Sequence, residues 1–231
     1  MNFKTLKYAV KTSMPVILGY LPSGFAFGLM MSAIGESILV SFIMAVTMYA
    51  GAGQYIAVDF IKNNATFLTM IIRTFLINSK HLFYGISLIE KFNKTGKKKP
   101  YLIFALTDET YALLTSTEYP KDVREDWYIF LVSAINQLSW ITGCTLGALF
   151  GNVVKFDTTG LDFAMTALFL VILTDQTRVF KSKIPFIVGG LSALIAMAVL
   201  GKGNMLLGGA VLSVVTLLVL HKKGFGKNDN D

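Results

Sequence analysis

Apolar runs separated by short polar interruptions organise the whole chain, over 13–34, 38–61, 66–89, 101–117, 127–150, 163–177, 184–200 and 204–220. A bilayer core of about 30 Å needs about 20 helical residues, so the second, third and fifth runs span it comfortably. The fourth and sixth are short, and the fourth carries Asp108 and Glu109 at its middle. Lys4, Lys7 and Lys11 ahead of the first run imitate a signal peptide. That run is too long, shows no small-x-small cleavage site and is followed by further spans, so it is read as retained. The pattern predicts an all-α, polytopic integral membrane protein of eight apolar segments, some broken or re-entrant. No linker separates soluble domains, and 1–231 reads as one transmembrane transporter domain. Its soluble parts are a basic tail at 1–12, a basic cytoplasmic loop at 90–100 and a basic tail at 221–231.

Composition sharpens this picture. Hydrophobic residues make up 54% of the chain and charged residues 15%, with a mean hydropathy of +0.59. One soluble core of this size cannot bury that excess, which excludes a disordered chain, a disulfide scaffold and a soluble enzyme. The single cysteine, Cys144, lies in an apolar run and can form neither an internal disulfide nor a Cys-based metal site. The formal charge of +7 does not signal nucleic-acid binding, because the basic residues flank apolar runs and lack an interleaved aromatic reading surface.

Topology explains the basic residues better. They gather at Lys4/Lys7/Lys11, Lys91/Lys94/Lys97/Lys98/Lys99, Arg178/Lys181/Lys183 and Lys222/Lys223/Lys227. The positive-inside rule places all four clusters, and both termini, in the cytoplasm. The more acidic loop 118–126, with Glu118, Asp122, Glu125 and Asp126, suits the outside. Three runs separate the first cluster from the second, and three more the second from the third. Three full crossings would end on the wrong face each time, so one run in each triplet must fail to cross once. Runs one and four are the candidates, being kinked or polar at mid-depth. The recurring triplet hints at an internal repeat, as does the echo between Leu106-Thr-Asp-Glu-Thr110 and Leu173-Thr-Asp-Gln-Thr177.

Four motifs carry candidate chemistry. In Gly19-Tyr-Leu-Pro-Ser-Gly24-Phe-Ala-Phe-Gly28, Pro22 lacks an N–H and disfavours helix at Leu21. A helix broken there would free backbone groups near Tyr20, Ser23 and Gly24, tolerated only against protein or water. The alternative is a proline kink with glycines for close packing. In Tyr49-Ala-Gly-Ala-Gly-Gln-Tyr55, Gly51 and Gly53 allow close approach and Gln54 offers an amide. The 19–28 break and a 51–54 turn are expected to line one substrate cavity. Along Arg73-Thr-Phe-Leu-Ile-Asn-Ser-Lys-His-Leu-Phe-Tyr-Gly85, helical spacing puts Arg73, Lys80 and Tyr84 near one face and Asn78 and His81 near another. Lys80 could snorkel towards headgroups, and His81 could serve as a structural hydrogen-bonder or a proton relay. In Leu106-Thr-Asp-Glu-Thr-Tyr-Ala-Leu113, two unpaired acids would cost about 5–7 kcal/mol at mid-membrane. They demand Arg73, Lys80, a proton or water, either as a locking ion pair or as a proton-coupling site. Asn136 and Gln137 read as interhelical hydrogen-bonders.

Taken together, Gly19–Gly28, Tyr49–Tyr55, Asn78-Ser-Lys-His-Leu-Phe-Tyr-Gly85 and Thr107-Asp-Glu-Thr-Tyr111 resemble the AzlC family, in order and spacing, over roughly residues 8–155. The resemblance implies the large subunit of an exporter of leucine, isoleucine and valine in the cell membrane. It also implies a proton-motive-force drive, a small AzlD-type membrane subunit as partner, and no cofactor or metal. One departure is Lys80, where the family pattern is expected to hold Arg, which weakens a bidentate carboxylate clamp there. Two rivals stand against a transporter. One is a membrane-embedded enzyme using Asp108, Glu109 and His81, for which no HExxH pair, nucleophile elbow or phosphate loop is present. The other is a channel or structural subunit, which lacks filter-like rings.

Overall fold

The computed structural model describes residues 3–62, 66–78, 80–116, 123–154, 182–201 and 205–222, with isolated positions between 170 and 178; the Lys80 side chain is outside the description. Every regular element among the described residues is helical. The chain forms two compact units, Met1–Met165 and Thr166–Asp231.

The first unit is built on two long helices, α1 (Phe3–Ala33) and α8 (Glu125–Val153), both long and apolar enough to cross a membrane. Tyr8 and Thr12 of α1 meet Tyr128 of α8, Gly24 meets Gly143, and Ser32 meets Gly151, so the two helices run parallel along their full length. Glycine makes this contact possible. A Cβ on Gly24 would lie 2.9 Å from the Trp140 carbonyl oxygen, and one on Gly143 would lie 2.7 Å from that of Leu21. Gly28 and Gly147 are tighter still, against backbone of Cys144 and Phe25. This is the small-residue packing that replaces hydrophobic drive in a membrane. It corrects the expectation of a broken first helix. α1 is continuous through Pro15 and Pro22, since a lost hydrogen bond and a kink need not end a helix that a neighbour supports over its whole length.

Two hairpins reach into this frame from opposite ends. The first joins α2 (Ile38–Thr47) to α3 (Gly51–Lys62). It leaves the C-terminal end of α1 and descends until the Val46 carbonyl meets Gln137 of α8. It then turns at 48–50 and climbs again, with Gln54 on Trp140 and Tyr55 donating to the Ser23 carbonyl. Run two is therefore a hairpin of two short helices within this unit, not one continuous helix. α4 (Phe67–Asn78) and α5 (Lys80–Asn93) follow it. A 3-10 turn (Gly96–Lys98) then leads to the second hairpin, α6 (Lys99–Phe104) and α7 (Asp108–Ser116). α6 rises to mid-depth, and α7 returns, with Lys91 Nζ donating to the Leu114 carbonyl 2.7 Å away. Run four thus turns back within the unit instead of continuing as one helix.

Ala9, Leu88, Phe92, Leu102, Val123 and Tyr128 pack into one cluster. The first two basic clusters therefore share one end of this unit. The start of α8 lies there too: Lys98 pairs with Asp126 at 2.6 Å and sits over the Trp127 ring. Residues 123–126 therefore lie beside the basic loop, against the expected placement of loop 118–126 on the opposite face; 118–122 lie outside the described residues. Acidic residues contribute little to orientation, so a net-charge reading of that loop was misleading.

Polar side chains are buried inside while large apolar ones line the rim. Gln54 and Asn136 are 0% exposed, while Phe75 is 65% and Leu138 62% exposed. Such an arrangement is stable where the surrounding solvent is hydrocarbon. The second unit is a helical pair, α9 (Ile184–Leu200) and α10 (Met205–Lys222), closed by Gly201 at φ +75°. Gly209 packs against the Ala193 backbone. Of run six only Leu170, Leu173, Thr174 and Thr177 are described, and Asp175 and Gln176 of the second Leu-Thr-Asp motif lie outside the described residues.

Candidate functional site: the meeting of two hairpin tips

Both tips arrive at one turn of α8, near the middle of that helix. From the first, Val46 and Gln54 contact Gln137 and Trp140; from the second, Tyr101 and Thr110 contact Gln137 and Asn136. Tyr49 and Phe104, one from each tip, have ring centroids 6.5 Å apart. Tyr20 of α1 closes the ring, edge-on to Trp140 at 5.4 Å.

The second tip holds the acids. Asp108 and Glu109 occupy the first turn of α7, and the Thr107 hydroxyl accepts from the Thr110 N–H at 3.2 Å. The positive end of a helix dipole and a side-chain cap thus meet two carboxylates at mid-depth. Tyr20 Oη lies 2.6 Å from Glu109 Oε2 and 2.8 Å from Thr107 Oγ1. Its single proton is best given to the carboxylate, the stronger acceptor. Asn136 Nδ2 donates to Thr110 Oγ1 at 3.0 Å, which leaves Asn136 Oδ1 buried without a partner among the described residues. Asp108 takes a different neighbour, Tyr84 on α5, whose ring stacks on Tyr111 at 4.3 Å.

The first tip is organised differently. Tyr49 stands at the turn with φ 40°, a left-handed conformation that costs a bulky residue about 1–3 kcal/mol. Its hydroxyl, inside a 4%-exposed residue, faces Thr110 and Glu109 at the second tip and Tyr20 of α1. α3 begins at Gly51 with no acid in its first turn. Gly51 and Gly53 are helical, so the turn lies at 48–50 instead of 51–54. The Trp140 indole touches this first turn twice. A Cβ on Gly51 would lie 3.3 Å from its ring, and its Nε1–H donates to Gln54 Oε1 at 2.8 Å. An indole can only donate, so the Gln54 amide is oriented, and Nε2 is the buried atom left without a partner.

The remaining expected residues lie elsewhere. Gly24 serves the α1–α8 contact, Pro22 sits within α1, and Ser23 lends its carbonyl to Tyr55. Arg73 pairs with Asp59 of α3 at 3.5 Å, a partner the sequence analysis did not name. His81 Nδ1 donates to the Asn78 carbonyl at 3.1 Å, the structural bond expected of it. Neither Arg73, Asn78 nor His81 is drawn to the tips by the contacts described. Tyr49, Trp140, Thr107 and Thr110 were missed as members of the network, although Thr107-Asp-Glu is legible as a helix start.

A helical membrane protein with two half-depth hairpins and buried, partly unsatisfied polar groups between them has the build of a solute transporter. The chain belongs to the AzlC family: the family profile for the AzlC protein matches residues 15–154. It is 36% identical over 216 residues to the branched-chain amino acid transport protein AzlC of Bacillus subtilis, covering 93% of this chain and 84% of the relative. An uncharacterized membrane protein of Helicobacter pylori is 33% identical over 220 residues, 95% of this chain and 96% of its own. One from Haemophilus influenzae is 36% identical over 196 residues, 84% and 80% of the two chains. No solved structure matches the chain.

Proposed function

We propose that the chain exports leucine, isoleucine and valine across the cell membrane, driven by the proton motive force, together with a small AzlD-type membrane subunit. Both termini and the Lys91–Lys99 segment face the cytoplasm in this reading. The observation that carries it is the convergence of two half-depth hairpins on Gln54, Asn136 and Tyr20 in a chain related over most of its length to a branched-chain amino acid transport protein. Freed helix ends at mid-membrane are a recurrent means of holding small polar solutes.

Coupling to protons is assigned to Glu109. Its carboxylate binds Tyr20 on the long α1 helix, so its protonation state bears on the contact between the second hairpin and the frame. Asp108 binds Tyr84 of α5 instead. Counterflow of labelled leucine in vesicles containing the chain and its partner subunit tests the reading. Exchange against unlabelled leucine, isoleucine and valine, enhanced by a pH gradient, is the expected result. No exchange, or chemical conversion of a membrane substrate, overturns it.

A further inference from the structure

We infer that the two hairpin tips form a polarised zwitterion site: the first tip holds the substrate carboxylate and the second its ammonium group. This rests on the transport reading above and adds an orientation to it.

The asymmetry comes from chemistry at the tips. At the first, the leading N–H groups of α3 lack partners within their own helix, and no acidic side chain stands in that turn to neutralise them. A helix N-terminus alone is not a site. Here a second observation points the same way: Gln54 Nε2, fully buried in that same turn, is a donor without an acceptor. Leaving such groups unpaired in low dielectric is costly, and a carboxylate would satisfy several at once. At the second tip the corresponding helix end is already capped by Thr107 and flanked by Asp108 and Glu109, so an anion is repelled. The unpartnered atom of Asn136, with its NH2 given to Thr110, is Oδ1, an acceptor suited to an ammonium N–H.

The spacing agrees. Asn136, which contacts the second tip, and Trp140, which orients Gln54 at the first, are four residues apart on α8. They therefore share a face and stand about 6 Å apart along the helix axis. An α-amino acid, with its two charged groups on one carbon, bridges donors and acceptors at that separation. Its side chain is then left to the apolar surfaces between.

The test uses ligands that carry one charge each. Purified, detergent-solubilised protein is scanned for thermal stabilisation by leucine, by 3-methylbutylamine (ammonium only) and by 4-methylpentanoate (carboxylate only). Wild type should respond to all three. Gln54→Ala should lose the response to 4-methylpentanoate, keep that to 3-methylbutylamine, and bind leucine about tenfold more weakly. Asn136→Ala should show the converse. Asn136→Asp, which keeps an acceptor, should restore the amine response, and Gln54→Glu, which replaces the donor by an acceptor, should abolish the carboxylate response. Size-exclusion profiles select the variants that remain folded; the Asp and Glu variants carry the test if an alanine variant does not. The polarity is overturned if wild type responds to neither single-charge compound, or if both sites affect the two compounds equally or in the opposite sense. Leucine counterflow without the predicted pattern would remove the polarity and leave the transport reading standing. The pattern without counterflow would do the reverse.

Discussion

The two hairpins share a plan and differ in nearly every residue that matters. Each enters the frame from one end, turns at mid-depth and starts its returning helix there. The α6–α7 tip is self-sufficient: Thr107 caps α7, two acids sit on its dipole, and Tyr20 and Asn136 tie it to both long helices. The α2–α3 tip is under-satisfied: a strained Tyr49, an unpartnered Gln54 amide and a glycine-led helix start with no acid. Identical architecture therefore yields one tip rich in acceptors and one rich in donors. The difference teaches that the turn chemistry, not the hairpin, sets what each half of the site can bind.

Both tips depend on the α1–α8 frame, and breaking it should have the largest effect. Gly147→Leu forces a branched side chain into the Phe25 backbone, with no flexible atom to yield. The cost should exceed the usual ~1–3 kcal/mol of overpacking, and no monodisperse protein should be recovered on size exclusion. Gly189→Leu, where nothing lies within 4 Å of the added Cβ, is the control and should purify normally.

Glu109→Gln comes next and separates the acids within the second tip. Losing a charge-assisted bond to Tyr20 removes about 1.5–3 kcal/mol from that junction. Vesicles should keep leucine exchange and lose the response to a pH gradient by about tenfold or more. Asp108→Asn should retain most of that response. Equal loss in the two variants would break the distinction drawn between the acids. Tyr20→Phe removes the same charge-assisted bond from the α1 side and should lower gradient-driven transport about tenfold, in line with the lower end of about 1.5–3 kcal/mol. Arg73→Gln should matter least. Arg73 and Asp59 are both partly exposed, 34% and 41%, and such pairs contribute at most about 1 kcal/mol. Counterflow rates should stay within about threefold of wild type.

Much of this frame was legible in the sequence because hydrophobic length and lysine position are direct consequences of a bilayer. The parity of the basic clusters demands a run that does not cross, and the acids in 101–117 mark a run that turns back within the unit. Run one was marked in error. Proline and glycine look alike whether they break a helix or let it pack, and only the α8 partner, over 100 residues away, decides between them. Run two hid its hairpin because its turn has no proline: Tyr49 takes the left-handed conformation that glycine usually supplies. The acids demand Arg73, Lys80, a proton or water when their cost is reckoned without a helix start at Thr107. Once Thr107 is recognised as a cap, the dipole of α7 shares that role. The Arg73–Asp59 pair was invisible, since nothing local in the chain brings α3 against α4.

The central claim is that hairpins enter from opposite faces, and sidedness of labelling tests it most directly. With Cys144 replaced by serine, single cysteines are placed at Glu36 and Thr66, flanking the first hairpin, and at Lys97 and Arg124, flanking the second. A membrane-impermeant maleimide is applied to sealed cells before and after permeabilisation. The account predicts that positions 36 and 66 label in intact cells, and that 97 and 124 label only once the membrane is opened. Labelling of 36 and 66 from different faces, or of 97 and 124 from different faces, would make that hairpin a full crossing and contradict the account.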